Sequence, residues 1–120
     1  MRTMSEVIRE SFDYGIIPNN NTTYIAIKDS SGSVEAVAGY IVKGKRFWFK
    51  GAYTPPEHRG KGNHTKLLVL RMNMALYHYK CKILLANCTK DSLPNFLKHG
   101  FKVSNKFKNG ITQVIYESLS

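Results

Sequence analysis

Arg59-Gly60-Lys61-Gly62-Asn63-His64-Thr65 is the stretch whose residue types and spacing best suit chemistry. Two glycines separated by one residue allow turns that side chains resist, and let the backbone come close to a ligand. The apolar-periodic run that follows predicts a helix from Asn63 or Thr65 to about Tyr79. The first N–H groups of a helix have no partner within it, and that end carries the positive pole of the helix dipole. A glycine turn feeding a helix start is therefore an anion grip, to which Arg59 and Lys61 add charge. It suits a phosphate or pyrophosphate. A lone Gly-x-Gly is more often a plain surface turn. Here the strand-like Phe47–Tyr53 before it and the helix after it favour the anion reading.

Two widespread phosphate loops do not fit. No Gly-Lys-Ser/Thr follows a first glycine at Walker spacing, and the dinucleotide fingerprint needs a third glycine beyond Gly60 and Gly62. The stretch Pro56-Glu57-His58-Arg59-Gly60-Lys61-Gly62-Asn63-His64 instead resembles the acetyl-coenzyme A loop of the GCN5-related N-acetyltransferase (GNAT) superfamily. That loop reads Arg/Gln-x-x-Gly-x-Gly/Ala, usually introduced by Pro-Glu-x-Arg. Arg59 and Gly62 match it, and His64 stands where the family has Gly or Ala. Further on, Phe96-Leu97-Lys98-His99-Gly100-Phe101 resembles the family's Tyr-x-x-x-Gly-Phe, with Phe96 in place of Tyr. The two motifs and the elements between them cover roughly residues 34 to 117.

The resemblance implies acetyl-CoA as the coenzyme, held by Arg59, Gly60, Lys61, Gly62, Asn63, His64 and Thr65. It further implies that backbone at Ala52, Tyr53 and Thr54 pairs with the pantetheine arm. A free strand edge can do this as it would pair with a peptide, and a backbone N–H there can polarise the thioester oxygen. The family's general-acid Tyr falls on Phe96, which has no proton to give. Tyr53, Cys88, Ser92 and Tyr116 are candidate substitutes, unless the thiolate leaves unassisted. A thiol pKa of ~8.5 makes unassisted departure cheap. Glu35, His58 or water is the candidate base, while Glu57 reads as a loop-stabilising carboxylate and His64 as a phosphate contact. The four histidines share no i, i+4 pair, so no metal site is expected.

Three functions follow from this. The first is an acetyl-CoA-dependent N-acetyltransferase, moving an acetyl group to a primary amine of a small molecule or protein by direct attack in a ternary complex. The second keeps the fold but acts on nucleic acid or a nucleic-acid-bound partner. The third is a non-catalytic GNAT-like binding or structural protein.

Composition bounds the rest. One hundred and twenty residues, 42% of them apolar, suit one domain over 1–120. The net charge of +10 is more than a coenzyme's phosphates call for, and fits either solubility or an acidic partner such as nucleic acid. The lysines are scattered and no nucleic-acid motif accompanies them. No apolar run reaches the ~20 residues a membrane helix needs, and Met1–Phe12 lacks a secretory h-region. Cys81 and Cys88 flank one expected strand, too far apart for a disulfide. A cytoplasmic protein is expected, with pairing through sheet edges as the route to a homodimer.

The elements that must position these residues read in a simple order. A helix runs from Ser5, its expected cap, to about Asp13. A loop over 15–23 follows, with Pro18 and three asparagines. Tyr24–Lys28 and Val34–Val42 form a hairpin around Asp29-Ser30-Ser31-Gly32, and Gly44-Lys45 turns into the Phe47–Tyr53 strand. Leu67, Leu70, Met74, Leu68, Met72, Ala75 and Tyr79 are expected on the inner stripe of the long helix. Ile83–Asn87 reads as a buried parallel strand. Asp91 or Ser92 caps a short helix that Gly100 ends. Phe101–Phe107 and Ile111–Glu117 pair around Lys108-Asn109-Gly110. The expected fold is α/β in the broad sense (α+β): a central mixed, mostly antiparallel sheet with helices on both faces. Against the family layout the N-terminus looks trimmed, with one short helix where a strand and two helices are usual.

Overall fold

The computed structural model describes residues 1–16 and 21–118, so the middle of the expected 15–23 loop, Pro18 included, lies outside the described residues. Among the described residues there are six strands: β1 Thr23–Lys28, β2 Val34–Lys43, β3 Arg46–Tyr53, β4 Ile83–Cys88, β5 Lys102–Lys106 and β6 Thr112–Glu117. They form one mixed sheet in the order β1-β2-β3-β4-β6-β5. Three α-helices accompany them: α1 Met4–Phe12, α2 Asn63–Asn73 and α3 Leu93–Lys98. Packing divides the chain into two units, Met1–Tyr40 with Lys50–Leu70 and Ile41–Phe49 with Arg71–Ser120.

In the first unit, alternation along the strands sorts side chains to two faces. Val37, Tyr53 and Ala26 share one face with Val7, Met4 and Ile8 of α1. Ala36, Ala38, Ala52, Ile25 and Ile27 share the other with Leu67 of α2. The two helices thus cover opposite faces, as expected. Small alanines at 36, 38 and 52 let α2 approach closely, and burying Leu67 there stabilises by ~1.5–3 kcal/mol. The β1–β2 hairpin is antiparallel. Asp29 builds its turn by accepting the N–H groups of Ser31 and Ser33 at 2.8 and 3.0 Å.

Helix α1 begins earlier than its expected Ser5 cap. Thr3 is extended and its hydroxyl accepts the Glu6 N–H at 3.2 Å, so Ser5 falls inside the first turn. The pattern is Thr-x-x-Glu, the spacing of a capping box.

In the second unit, β3 and β4 are parallel, with Arg46 opposite Ile83 and Phe49 opposite Ala86. β6 is antiparallel to both β4 and β5. Gly100 ends α3 at φ +94°. Its N–H donates to Leu97 and the Phe101 N–H to Phe96 at 3.2 Å each, the two bonds of a Schellman close. Ser92 occupies the cap position of α3 but its side chain makes no cap hydrogen bond. The β5–β6 turn is not the two-residue Asn-Gly type. Gly110 alone has positive φ, its N–H bonds Phe107, and Phe107 pairs back to Ile111, giving a three-residue loop closed by a bulge glycine.

The long helix differs in its inner stripe. Leu67, Leu68, Arg71 and Ala75 are buried, whereas Leu70 is 45% exposed. At 100° per residue, Leu70 lies about 115° from the centre of that stripe. Met74–His78 then widens into a π turn. Arg71 lies with its guanidinium 4.8 Å from the centre of the Phe49 ring, a cation–π contact. Burial pushes it down to about 9, so it keeps its charge at neutral pH.

Candidate active site

The loop between β3 and α2 is built by residues with restricted backbones. Pro55 and Pro56 open a short 3₁₀ turn, Pro56–His58, and Arg59 is extended. Gly60 and Gly62 sit at φ +83° and +78°, where a side chain is strained, and a Cβ on either would meet nothing within 4 Å. The glycines therefore serve the turn and an open space beside it, not close packing within the chain. α2 begins directly afterwards at Asn63, with no acidic side chain in its first turn to offset the positive pole.

Asn63 is the decisive residue. It is 3% exposed, and neither Nδ2 nor Oδ1 has a hydrogen-bond partner. A buried unsatisfied polar atom costs ~1–3 kcal/mol, so this amide is out of balance in the protein by itself. An orphaned amide and two open glycines at a helix start fit the phosphates of a coenzyme.

The cations expected to reach those phosphates are engaged by the chain itself. Arg59 Nε donates to the Thr54 carbonyl at 3.0 Å, tying the turn to the end of β3. Lys61 Nζ lies 3.2 Å from Glu35 Oε1 and 3.1 Å from His58 Nδ1. His58 Nδ1 is itself 3.6 Å from Glu35, so both candidate bases meet beside Lys61. His64 is half-buried and Thr65 exposed in the first turn of α2.

Beside the loop, Ala52 packs in the apolar layer under α2, and Tyr53 is 6% exposed on the opposite face. The Tyr53 hydroxyl donates to Glu10 Oε2 at 2.6 Å, and Arg2 donates to Glu10 Oε1 at 2.6 Å and to Glu57 at 2.9 Å. Burial, and then the Glu10 carboxylate, push the Tyr53 hydroxyl well above the usual tyrosine range. Arg2 and the Tyr53 hydroxyl hold Glu10 below the usual carboxylate range, against the opposing effect of burial. Glu10 and Arg2 belong to no motif. The sequence signal for Glu10 is its place three residues after Val7, which puts it on the face of α1 that meets Tyr53.

The other three candidate proton donors, Cys88, Ser92 and Tyr116, lie in the second unit. Cys88 is 1% exposed, and burial raises its thiol while a bond from Ser92 pulls the other way. Ser92 Oγ donates to the Thr89 carbonyl at 3.3 Å. Phe96, at the family's acid position, is 5% exposed. Its ring stands edge-on to Phe49 and Phe101 at 5.5 and 5.1 Å, as part of the core. Tyr116 packs against Phe101 at 5.6 Å. Among the described residues no group of three His, Cys, Asp or Glu side chains could hold a metal, and no helix is long and apolar enough to cross a membrane.

No protein-family model matches the sequence, and no curated protein matches it. Solved structures do match in three dimensions. A point mutant of the spermidine N-acetyltransferase SpeG from Vibrio cholerae aligns with TM-score 0.72 and 12% identity, over 92% of this chain and 72% of that one. The dodecameric spermidine N-acetyltransferase from Vibrio cholerae in an intermediate state aligns with TM-score 0.70 and 13% identity, over 94% and 72%. A second SpeG point mutant aligns with TM-score 0.68 and 14% identity, over 92% and 73%. With the sheet order and the β3–α2 loop described above, these likenesses place the chain in the GCN5-related N-acetyltransferase fold.

Proposed function

We propose that this chain is an acetyl-CoA-dependent N-acetyltransferase that passes an acetyl group to a primary amine by direct attack in a ternary complex. The observation that carries the reading is the orphaned, buried Asn63 amide at the start of α2, beside the open positive-φ glycines 60 and 62. The fold likeness to spermidine N-acetyltransferases supports the choice of an amine as acceptor.

Bound acetyl-CoA would supply an activated acyl thioester. The chain's part is to bind and orient it. The Asn63 amide and the α2 N-terminus, with Gly60, Gly62, His64 and Thr65, take the pyrophosphate, and Arg59 and Lys61 hold the loop's shape. Backbone groups of Ala52, Tyr53 and Thr54 orient the pantetheine arm, with the Thr54 carbonyl shared with Arg59. Glu35 and His58, 3.6 Å apart, are the proposed acceptors of the amine's proton. Tyr53, in the same unit as the β3–α2 loop, is the proposed source of a proton for the thiolate. It must first give up its bond to Glu10.

A second reading, a non-catalytic coenzyme-binding protein, is favoured by one observation. Phe96 is built into the aromatic core, so the acid position is occupied by packing. Release of free thiol from acetyl-CoA in the presence of spermidine and other primary amines tests both. Amine-dependent release supports the transferase. Binding without release under any amine leaves the second reading standing.

A further inference from the structure

The net charge of +10 is distributed very unevenly. Eleven of the eighteen Lys and Arg lie in the second unit, where Asp91 and Glu117 are the acids, so that unit holds nine of the ten net charges. The first unit is close to neutral. The loop Arg59–Thr65 belongs to the first unit.

Five of those eleven cations gather at one end of the second unit's strands. Lys43, Lys45 and Arg46 are exposed around the β2–β3 turn, and Lys80 and Lys82 are exposed just before β4. Backbone bonds join these segments: the Lys82 N–H donates to the Lys45 carbonyl at 2.9 Å, and the Ser118 N–H to the Lys82 carbonyl at 2.9 Å. No ion pair to Lys43, Lys45, Arg46 or Lys80 occurs among the described residues. Such crowding of like charge costs stability unless an anion offsets it.

Ser118 also leads to a concavity of about 670 Å³ lined by Tyr77, Tyr116, Lys102 and Glu117. Tyr77 is 72% exposed, an uneconomical position for a large ring with no partner in the core. It is presented by the π turn Met74–His78, and the chain leaves that turn through Lys80 at φ +56°. Insertions of this kind, and non-glycine residues held at positive φ, are costly features that gather at functional sites.

We infer that this end of the second unit binds single-stranded nucleic acid. Phosphates lie along Lys43, Lys45, Arg46, Lys80 and Lys82, and a base stacks on Tyr77 at the concavity. The charge fits any polyanion. The exposed Tyr77 ring is what favours a single strand, whose unpaired bases offer π faces, over an acidic protein. The inference is independent of acetyl transfer, since it uses none of the coenzyme residues.

Fluorescence anisotropy of the full chain with a labelled thymidine 20-mer tests it. For five phosphate contacts the slope of log K against log salt is about −3.5. The variant Lys43→Gln/Lys45→Gln/Lys80→Gln, all exposed side chains, is expected to bind at least tenfold more weakly near 0.15 M salt and to lower the slope by about 2. Tyr77→Ala is expected to lose about tenfold with the slope unchanged. A two-charge control, Lys28→Gln/Lys66→Gln, in the first unit, is expected to bind like the parent. No measurable binding, an equal loss in the control, or tighter binding of polyglutamate than of the 20-mer would overturn the proposal, the last in favour of an acidic protein partner.

Discussion

Glu10, which belongs to no motif, ties the N-terminal segment and α1 to β3. Its carboxylate takes Arg2 on one oxygen and the Tyr53 hydroxyl on the other, and Arg2 continues to Glu57 in the β3–α2 loop. This lowers its folded-state pKa below the 4.5 of the free side chain. The native state then binds fewer protons than the unfolded one, so stability rises with pH through that window. The contribution is fully present above about pH 4.5 and is lost as pH falls through the lower, folded value. Thermal unfolding from about pH 6 to about pH 3 is expected to show a steeper loss in the parent than in Glu10→Gln. Parallel curves would mean that the Arg2–Glu10–Tyr53 contacts do not form. None of this was legible beforehand, because partners 43 residues apart in sequence meet only through the packing of α1 on β3.

The elements were far more legible, and their misplacements have local causes. Alternation in β1 to β3, the turn residues at 29–32 and 108–110, and the glycine at 100 all stand where expected. The cap of α1 moved to Thr3 because Glu6, its capping-box partner, lies at the right spacing from Thr3. The stripe of α2 was misjudged at Leu70 and Arg71 because hydropathy alone assigns Leu inside and Arg outside. Arg71 is accommodated by stacking on Phe49, a contact no local pattern encodes. The close of α3 provides the test at this scale. Gly100 has φ +94°, and a Cβ there would sit 3.2 Å from the Tyr116 ring. Gly110 has φ +86° with nothing within 4 Å. Both Gly→Ala changes carry a backbone cost of ~1–2 kcal/mol, and Gly100→Ala adds the contact with Tyr116. At roughly 4 °C per kcal/mol for this length, Gly100→Ala is expected to melt several degrees below Gly110→Ala. Equal melting would show that Tyr116 gives way freely.

At the scale of the whole molecule, the β3–α2 loop was legible as a motif, while the surroundings that support the proposed coenzyme site were not. Gly60, Gly62 and the helix start were expected; the orphaned Asn63 amide and the diversion of Arg59 and Lys61 to Thr54 and Glu35 appear only once the chain is folded. Likewise composition announced a basic protein without revealing that one unit holds nearly all the excess. The central claim is that the native fold is completed by a coenzyme at α2, and it is tested by thermal unfolding of the parent and Asn63→Leu with and without acetyl-CoA. A ligand that binds only the folded chain stabilises it by ~2.7 kcal/mol at a hundred times its Kd, or about 10 °C at this length. Without ligand, Asn63→Leu is expected to melt higher than the parent, since an unsatisfied buried amide is removed. With acetyl-CoA, the parent is expected to gain about 10 °C and the variant a small fraction of that. No shift in the parent, or an equal shift in both, would contradict the account.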